Sequence, residues 1–354
     1  MLKFFNADQK NALRRLETFL NKRKLKQKTS SSTIKKILSQ VKRNGDEAVI
    51  KFEKKFSHVK SKTKKIVFSK SEINKISKGI DKELKKAIDI AYVRIKKFHS
   101  KQKFLPFRYK DKFKNDLSYK YSPIESVGVY VPGGIASYPS TVLMNCIPAL
   151  VAGVKKIYLT TPSLGKAVNP AIIYAAKKCG VKKIYKTGGA HSIGAFTYGT
   201  KTFTKVDKIV GPGNAFVASA KKEVFGDVGI DMVAGPSEVS IIADKSSNPA
   251  WIAADLIAQA EHDTLAQSIL ITNSKDLIKS VNIRLKLQLK DLPKKKIASK
   301  SIKNYGLAIY TNSVNKIPEL VNIIAPEHLE INFSNYKHFI KKIKNAGSIF
   351  LGKF

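Results

Sequence analysis

Apolar positions recur at three- and four-residue steps from about Asp81 to Lys103, at Leu84, Ala87, Ile88, Ala91, Ile95 and Phe98, which predicts a long helix with one buried face. The same period runs from Ile34 to about Phe56, with Asn44-Gly45 as a weak point inside it. Residues 1–29 read as a charged helical arm running into a polar turn, Thr29-Ser-Ser-Ser-Thr33. From Val127 the period changes. Short apolar runs at Val127–Val131, Ile157–Thr160, Ile184–Thr187 and Val206–Val210 alternate with helical stretches. The first, third and fourth end in Gly-rich turns at 132–134, 188–190 and 211–214. Strand, tight turn and helix in repetition predict an open parallel α/β sheet. The alternation resumes after Ser237 with Val239–Ile242, Ser268–Ile271, Gly306–Tyr310 and Ser348–Leu351. The expected fold is α/β, with two Rossmann-like open parallel-sheet units and an N-terminal helical arm. Its expected division is an arm of 1–29, a discontinuous first domain of 30–125 with 238–354, and an inserted domain of 126–237.

Composition narrows the class. With 354 residues, 43% of them apolar, the chain can bury a large core, which excludes a disordered or collagen-like description. Cys146 and Cys179 lie far from any CxxC spacing, so a disulfide framework is not expected and a reduced, cytoplasmic setting is. The longest apolar stretch, Val142–Val154, contains Asn145 and Pro148 and falls short of the ~20 residues a membrane span needs. Met1 is followed by no apolar run of signal-peptide length, and no membrane partner is expected. The net charge of +40 raises the question of nucleic acid. It comes from 59 Lys and only 7 Arg, and residues 126–274 hold 14 basic against 9 acidic side chains. The Lys read as solvated helix faces, and no specific nucleic-acid partner is expected.

In open α/β sheets ligands sit at the carboxyl ends of strands, where Gly turns and helix N-termini favour anions. The three Gly-rich turns therefore suit a phosphate-bearing ligand, although none spells GxGxxG and ordinary βα-turn geometry also calls for Gly. Gln259 and His262 close a helical segment, Trp251–Asp263, and share a face, so both could meet one cation; a helix end with a capping His is the plainer account. In Ala325-Pro-Glu-His-Leu-Glu330, Glu327 and His328 form a candidate acid/base pair or a solvated turn, and Glu330 reads equally as a surface charge. His191 follows the second Gly turn and faces the expected ligand edge. His58 and His338 sit in Lys-rich stretches, and His99 ends a helix. Ser237 lacks the small-residue elbow of a hydrolase nucleophile.

Taken together the segments resemble histidinol dehydrogenase, from about residue 30 onward and in unbroken order. The resemblance rests on Val127-Gly-Val-Tyr-Val-Pro-Gly-Gly134, Tyr138-Pro-Ser-Thr-Val-Leu-Met-Asn145, Val206-Asp-Lys-Ile-Val-Gly-Pro-Gly-Asn-Ala215, Gly229-Ile-Asp-Met-Val-Ala-Gly-Pro-Ser-Glu238, Gln259-Ala-Glu-His-Asp263 and Ala325–Glu330. It implies a zinc-containing, NAD-dependent homodimer that oxidises L-histidinol to L-histidine through a bound aldehyde. By similarity, Gln259 and His262 are metal ligands and contact the substrate. His328 also contacts it and takes the alcohol proton, while Glu327 activates water. Ser237 matches a substrate contact, and Tyr130, His191 and Asn214 match NAD contacts. His191 stands where the family has Gln. The family's tail beyond the Ala346–Gly352 segment carries an Asp ligand, a His ligand given to the partner subunit and a further acidic contact. None of these occurs up to Phe354, so an incomplete zinc site is expected in this chain. Two other functions fit the same motifs less closely: a relative acting on another small polar alcohol such as a sulfonated diol, and a non-catalytic basic binding protein.

Overall fold

The computed structural model describes residues 1–354 apart from 26–30, 57–64, 103, 134–138, 164–166, 234, 236, 335 and 353–354. Thr29, Ser30, His58, Lys103, Gly134, Tyr138, Ala234, Pro236 and Phe354, named above, lie outside the described residues. The chain divides into two compact units, Met1–Lys28 with Gly235–Phe354, and Thr29–Ala234. In chain order the first unit opens with β1 (Lys3–Asn6) and α1 (Ala12–Leu25). The second holds α2 (Ser31–Phe56), α3 (Lys70–Lys78), α4 (Lys82–Ser100), β2 (Phe107–Lys110), β3 (Asp116–Tyr119), β4 (Ser126–Tyr130), α5 (Pro139–Ala152), β5 (Lys156–Thr160), α6 (Pro170–Lys178), β6 (Lys183–Tyr185), α7 (Gly189–Tyr198), β7 (Lys208–Val210), α8 (Ala215–Glu223) and β8 (Gly229–Ile230). The first unit then resumes with β9 (Glu238–Ala243), α9 (Pro249–Ala260), β10 (Gln267–Thr272), α10 (Lys275–Gln288), α11 (Lys295–Tyr305), β11 (Leu307–Tyr310), α12 (Ile317–Ile324), β12 (His328–Asn332) and β13 (Ser348–Leu351).

The α/β class and both parallel sheets agree with the sequence reading, but the division does not. Residues 30–125 belong with the Gly-turn unit, because the apolar face of α2 (Ile34, Ile37, Leu38, Val41) shares a core with Phe196, Phe203 and Tyr185. Nor is 1–29 a separate arm. β1 pairs in parallel with β11, and Leu16 and Leu20 of α1 enter the core of the first unit. The period-3.6 reading saw the helix and missed the four-residue strand before it.

The sheet of the second unit runs β6-β5-β4-β7-β8, every neighbour parallel. Strand order therefore reverses between β4 and β7, the place where an open sheet leaves a crevice at its carboxyl edge. Gly211 ends β7 with φ +109°, and a Cβ there would stand 2.2 Å from the Tyr130 carbonyl oxygen that ends β4. Only glycine allows that approach. The sheet of the first unit runs β1-β11-β10-β9-β12-β13, again all parallel, with its reversal between β9 and β12. Leu256, Leu277 and Ile302 of α9, α10 and α11 cover one face, and Leu16 and Leu320 of α1 and α12 cover the other. Among the described residues no helix is long and apolar enough to cross a membrane.

Candidate active site

In the first unit, α9 follows β9 and returns antiparallel to the strands, so its C-terminal end lies at their amino edge. The helix ends at Ala260, and the His262 N–H closes a further turn on the Gln259 carbonyl at 3.2 Å. Asp255, Ala258, Gln259 and His262, at steps of three and four, line one cavity of about 370 Å3. The opposite wall is β12. Its residues alternate, with Leu329 and Ile331 in the core and His328, Glu330 and Asn332 on the cavity, while Phe350–Gly352 complete the lining. The segment read from sequence as a turn is thus a strand, entered through Ala325 in the left-handed conformation that ends α12.

Glu327 and His328 are held by the backbone of a single residue, the first of β9. The Glu238 carbonyl lies 3.3 Å from His328 Nδ1, and the Glu238 N–H donates to Glu327 Oε2 at 3.3 Å. A carbonyl can only accept, so Nδ1 carries a proton, and in that Nδ1–H tautomer Nε2 has the free lone pair. Glu327 Oε2 lies 3.9 Å from Nδ1, and the His328 ring stacks on Phe350 with centroids 6.0 Å apart. Glu238 is itself anchored by the buried Arg23 of α1 at 2.8 Å. Ser237 directly precedes this residue and does not line the cavity; its carbonyl accepts from Gln267 N–H.

Sequence reasoning passed over the cavity's acidic wall. Burial, with the Asp255 carboxylate beside it, pushes Glu330 up from 4.5 to about 7, and burial raises Asp255 as well. The signal was present: Asp255 is four residues before Gln259 on the helix, and Glu330 two after His328 on the strand. Because the folded-state value is raised, the contribution of Glu330 to stability is intact below about 4.5 and is lost as pH rises through about 7. Glu330→Gln has no proton to lose there. Its stability relative to the parent chain is therefore expected to rise between those pH values by about 1–2 kcal/mol, after discount for the solvent that reaches the group. Urea midpoints at both ends of the window check this, and a constant difference would refute it.

Gln259 and His262 make no side-chain hydrogen bond or ion pair among the described residues, so both are available to a cation at the cavity wall. The imidazole nitrogen is a donor that suits zinc, whereas the amide oxygen is neutral and weak, and catalytic zinc sites take three protein ligands, so these two supply only part of a site. The described residues form no cluster of three or more His, Cys, Asp or Glu that could hold a metal.

Tyr130, His191 and Asn214 all belong to the second unit, at the carboxyl edge of its sheet. Two of the Gly turns offer less of the phosphate cradle expected of them, because protein acceptors already take the N–H groups of Gly188, Gly189 and Gly211. Gly188 donates to Glu53 at 2.8 Å, Gly189 to the Tyr130 hydroxyl at 3.1 Å, and Gly211 to Asp231 at 2.8 Å. Tyr130 is buried, and burial pushes its hydroxyl up to about 12. It supports the Gly189 turn from below. Asn214 is exposed, and its Oδ1 caps α8 by accepting from Phe216 and Val217 N–H, both at 3.1 Å. His99 pairs with Gln102 at the end of α4, and His338 is exposed.

The model of the histidinol dehydrogenase family matches residues 20–354. A histidinol dehydrogenase from Pelagibacter ubique is 55% identical, covering 100% of this chain and 82% of that protein. One from Listeria monocytogenes is 46% identical over 91% of this chain and 75% of its own length. The crystal structure of histidinol dehydrogenase from Elizabethkingia anophelis superposes with a TM-score of 0.91 at 37% identity, over 100% of this chain and 81% of that one. The chain belongs to the histidinol dehydrogenase family.

Proposed function

We propose that this chain oxidises L-histidinol to L-histidine through a bound aldehyde, with two NAD taking one hydride each. The observation that carries the reading is the convergence of Gln259, His262 and His328 on one cavity, with Glu327 beside His328. Gln259 and His262 would hold zinc, which when bound supplies a Lewis acid that fixes the substrate's imidazole and amine. His328 Nε2 takes the alcohol proton as the first hydride leaves carbon. Glu327 then accepts a proton from water as its oxygen attacks the aldehyde carbon, and the hydrate loses a second hydride to become the carboxylate. Ser237 serves as a substrate contact next to the residue that holds the acid/base pair. On the cofactor side, His191 and Asn214 contact NAD, and Tyr130 acts by holding the Gly189 turn.

The partner is a second copy of the chain. The β2–β3 hairpin leaves Phe107, Tyr109 and Tyr119 about half exposed, a stacked aromatic surface suited to burial in a homodimer. The free thiols of Cys146 and Cys179 support a reducing, cytoplasmic setting.

The test is NADH formation by the purified chain with NAD and zinc, comparing L-histidinol with a small sulfonated diol. Histidinol-dependent NADH is expected. Preference for the diol would overturn the substrate. No turnover of either, with polyanion binding that survives physiological salt, would favour the non-catalytic binding protein.

A further inference from the structure

Glu53, in the last turn of α2, is about 1% exposed, as is His191 in the first turn of α7. Glu53 Oε2 accepts from Gly188 N–H at 2.8 Å and lies 2.9 Å from His191 Nε2. The rings of Phe52 and Phe56 stand 6.1 and 6.2 Å from the imidazole. A carboxylate has no hydrogen to give, so the bonded Nε2 carries the proton, and in that Nε2–H tautomer Nδ1 is a bare acceptor. That Nδ1 is buried and has no hydrogen-bond partner. It lies 3.4 Å from where a Cβ on Gly189 would stand, so this ring edge borders the space that glycine leaves open at the turn. A buried acceptor in such a place is unfavourable until something donates to it. Glu53 also occupies the Gly188 N–H, which puts a carboxylate where a phosphate would otherwise approach the helix.

We propose that Glu53 is a positioning residue of the cofactor site, fixing His191 as its Nε2–H tautomer so that Nδ1 accepts a hydrogen bond from a donor group of NAD. That donor is an amino or hydroxyl group and not a phosphate oxygen, which could not donate. The proposal rests on the reading of His191 as an NAD contact. It also explains how His can stand where the family has Gln: a Gln amide offers a donor or an acceptor by rotating, whereas an imidazole must have its tautomer set from outside.

The experiment measures NAD affinity by calorimetry, and the His191 tautomer by nitrogen NMR of the histidine-labelled full chain. Glu53→Gln can donate to Nε2 and so turn the ring to the Nδ1–H form. It is expected to weaken NAD about 10-fold, the worth of one hydrogen bond. His191→Gln in the same background is expected to restore affinity, a rescue that a merely structural role for Glu53 would not give. The NAD analogue with acetyl in place of carboxamide, and the one with hypoxanthine in place of adenine, tell which amino group is the donor; equal affinity of both for the chain assigns it to a ribose hydroxyl. If His191→Ala leaves NAD affinity unchanged, the contact itself is wrong. If His191→Ala weakens NAD while Glu53→Gln does not, or if Nδ1 carries a proton in the NAD complex, the contact stands and the positioning role falls.

Discussion

Glu327→Gln is expected to lower the rate of histidine formation by about 10²- to 10⁴-fold, the usual worth of a general base, with little change in KM for histidinol. The expected loss is confined to one half of the reaction. His328 Nε2, left free because Nδ1 is bonded to the Glu238 carbonyl, still takes the alcohol proton, so the first hydride still leaves. What fails is attack of water on the aldehyde. NADH yield should then fall from two per histidinol towards one, with an aldehyde that a carbonyl trap intercepts. The substitution keeps the size of the side chain and an oxygen for the Glu238 N–H, so the 3.3 Å backbone contact need not be lost. Thermal unfolding of the variant should match the parent chain. Two NADH per histidinol at the parent rate would remove Glu327 from the role of base.

The two halves of the molecule were not equally legible in the sequence. In the second unit the candidates follow the carboxyl-edge rule, because each Gly-rich turn comes directly after an apolar run and the strand that ends there can be read by eye. In the first unit the acid/base pair stands at the amino edge. His328 is the first residue of β12, level with Val239 of β9 and Ser348 of β13. No strand-end rule points there. What brings the residues together is the return of α9 along the sheet, and that follows from topology, not from any local motif. β12 itself was hidden because Glu330, a charged residue, faces a cavity, so the alternation His-Leu-Glu-Ile-Asn resembles a polar turn as much as a half-buried strand.

Glu53 shows a different limit. It lies 138 residues from His191, on a helix whose charged positions are mostly exposed, and its neighbours Lys51, Lys54 and Lys55 give no sign that one carboxylate is buried. The Gly turns misled for a related reason. Glycine spacing predicts a free cradle of N–H groups, but the acceptors that take three of them, Glu53, the Tyr130 hydroxyl and Asp231, come from elsewhere in the chain. Only the fold reveals that they are taken.

His262→Ala is expected to weaken zinc binding by at least ~10²-fold, since loss even of a group supporting a ligand typically costs 10- to 100-fold and a ligand must count for more. Of the two unpartnered donors on the cavity wall the imidazole is the stronger, and the amide oxygen of Gln259 is neutral and weak. Gln259→Ala should therefore cost less than His262→Ala, and Gln259→Glu, which puts a charged oxygen in the same place, should bind zinc at least as tightly as the parent chain. The ranking is read by competition with a colorimetric chelator, so it does not depend on turnover. Because His262 lies beyond the end of α9 and is exposed, its removal opens no cavity in the core, and a folded variant is expected. Zinc affinity unchanged in His262→Ala would mean that the cation is held elsewhere. The Asp255–Glu330 pair, the other polar wall of the same cavity, would then be the first place to look, since a cation between the two groups would offset the burial and the mutual repulsion that raise Glu330.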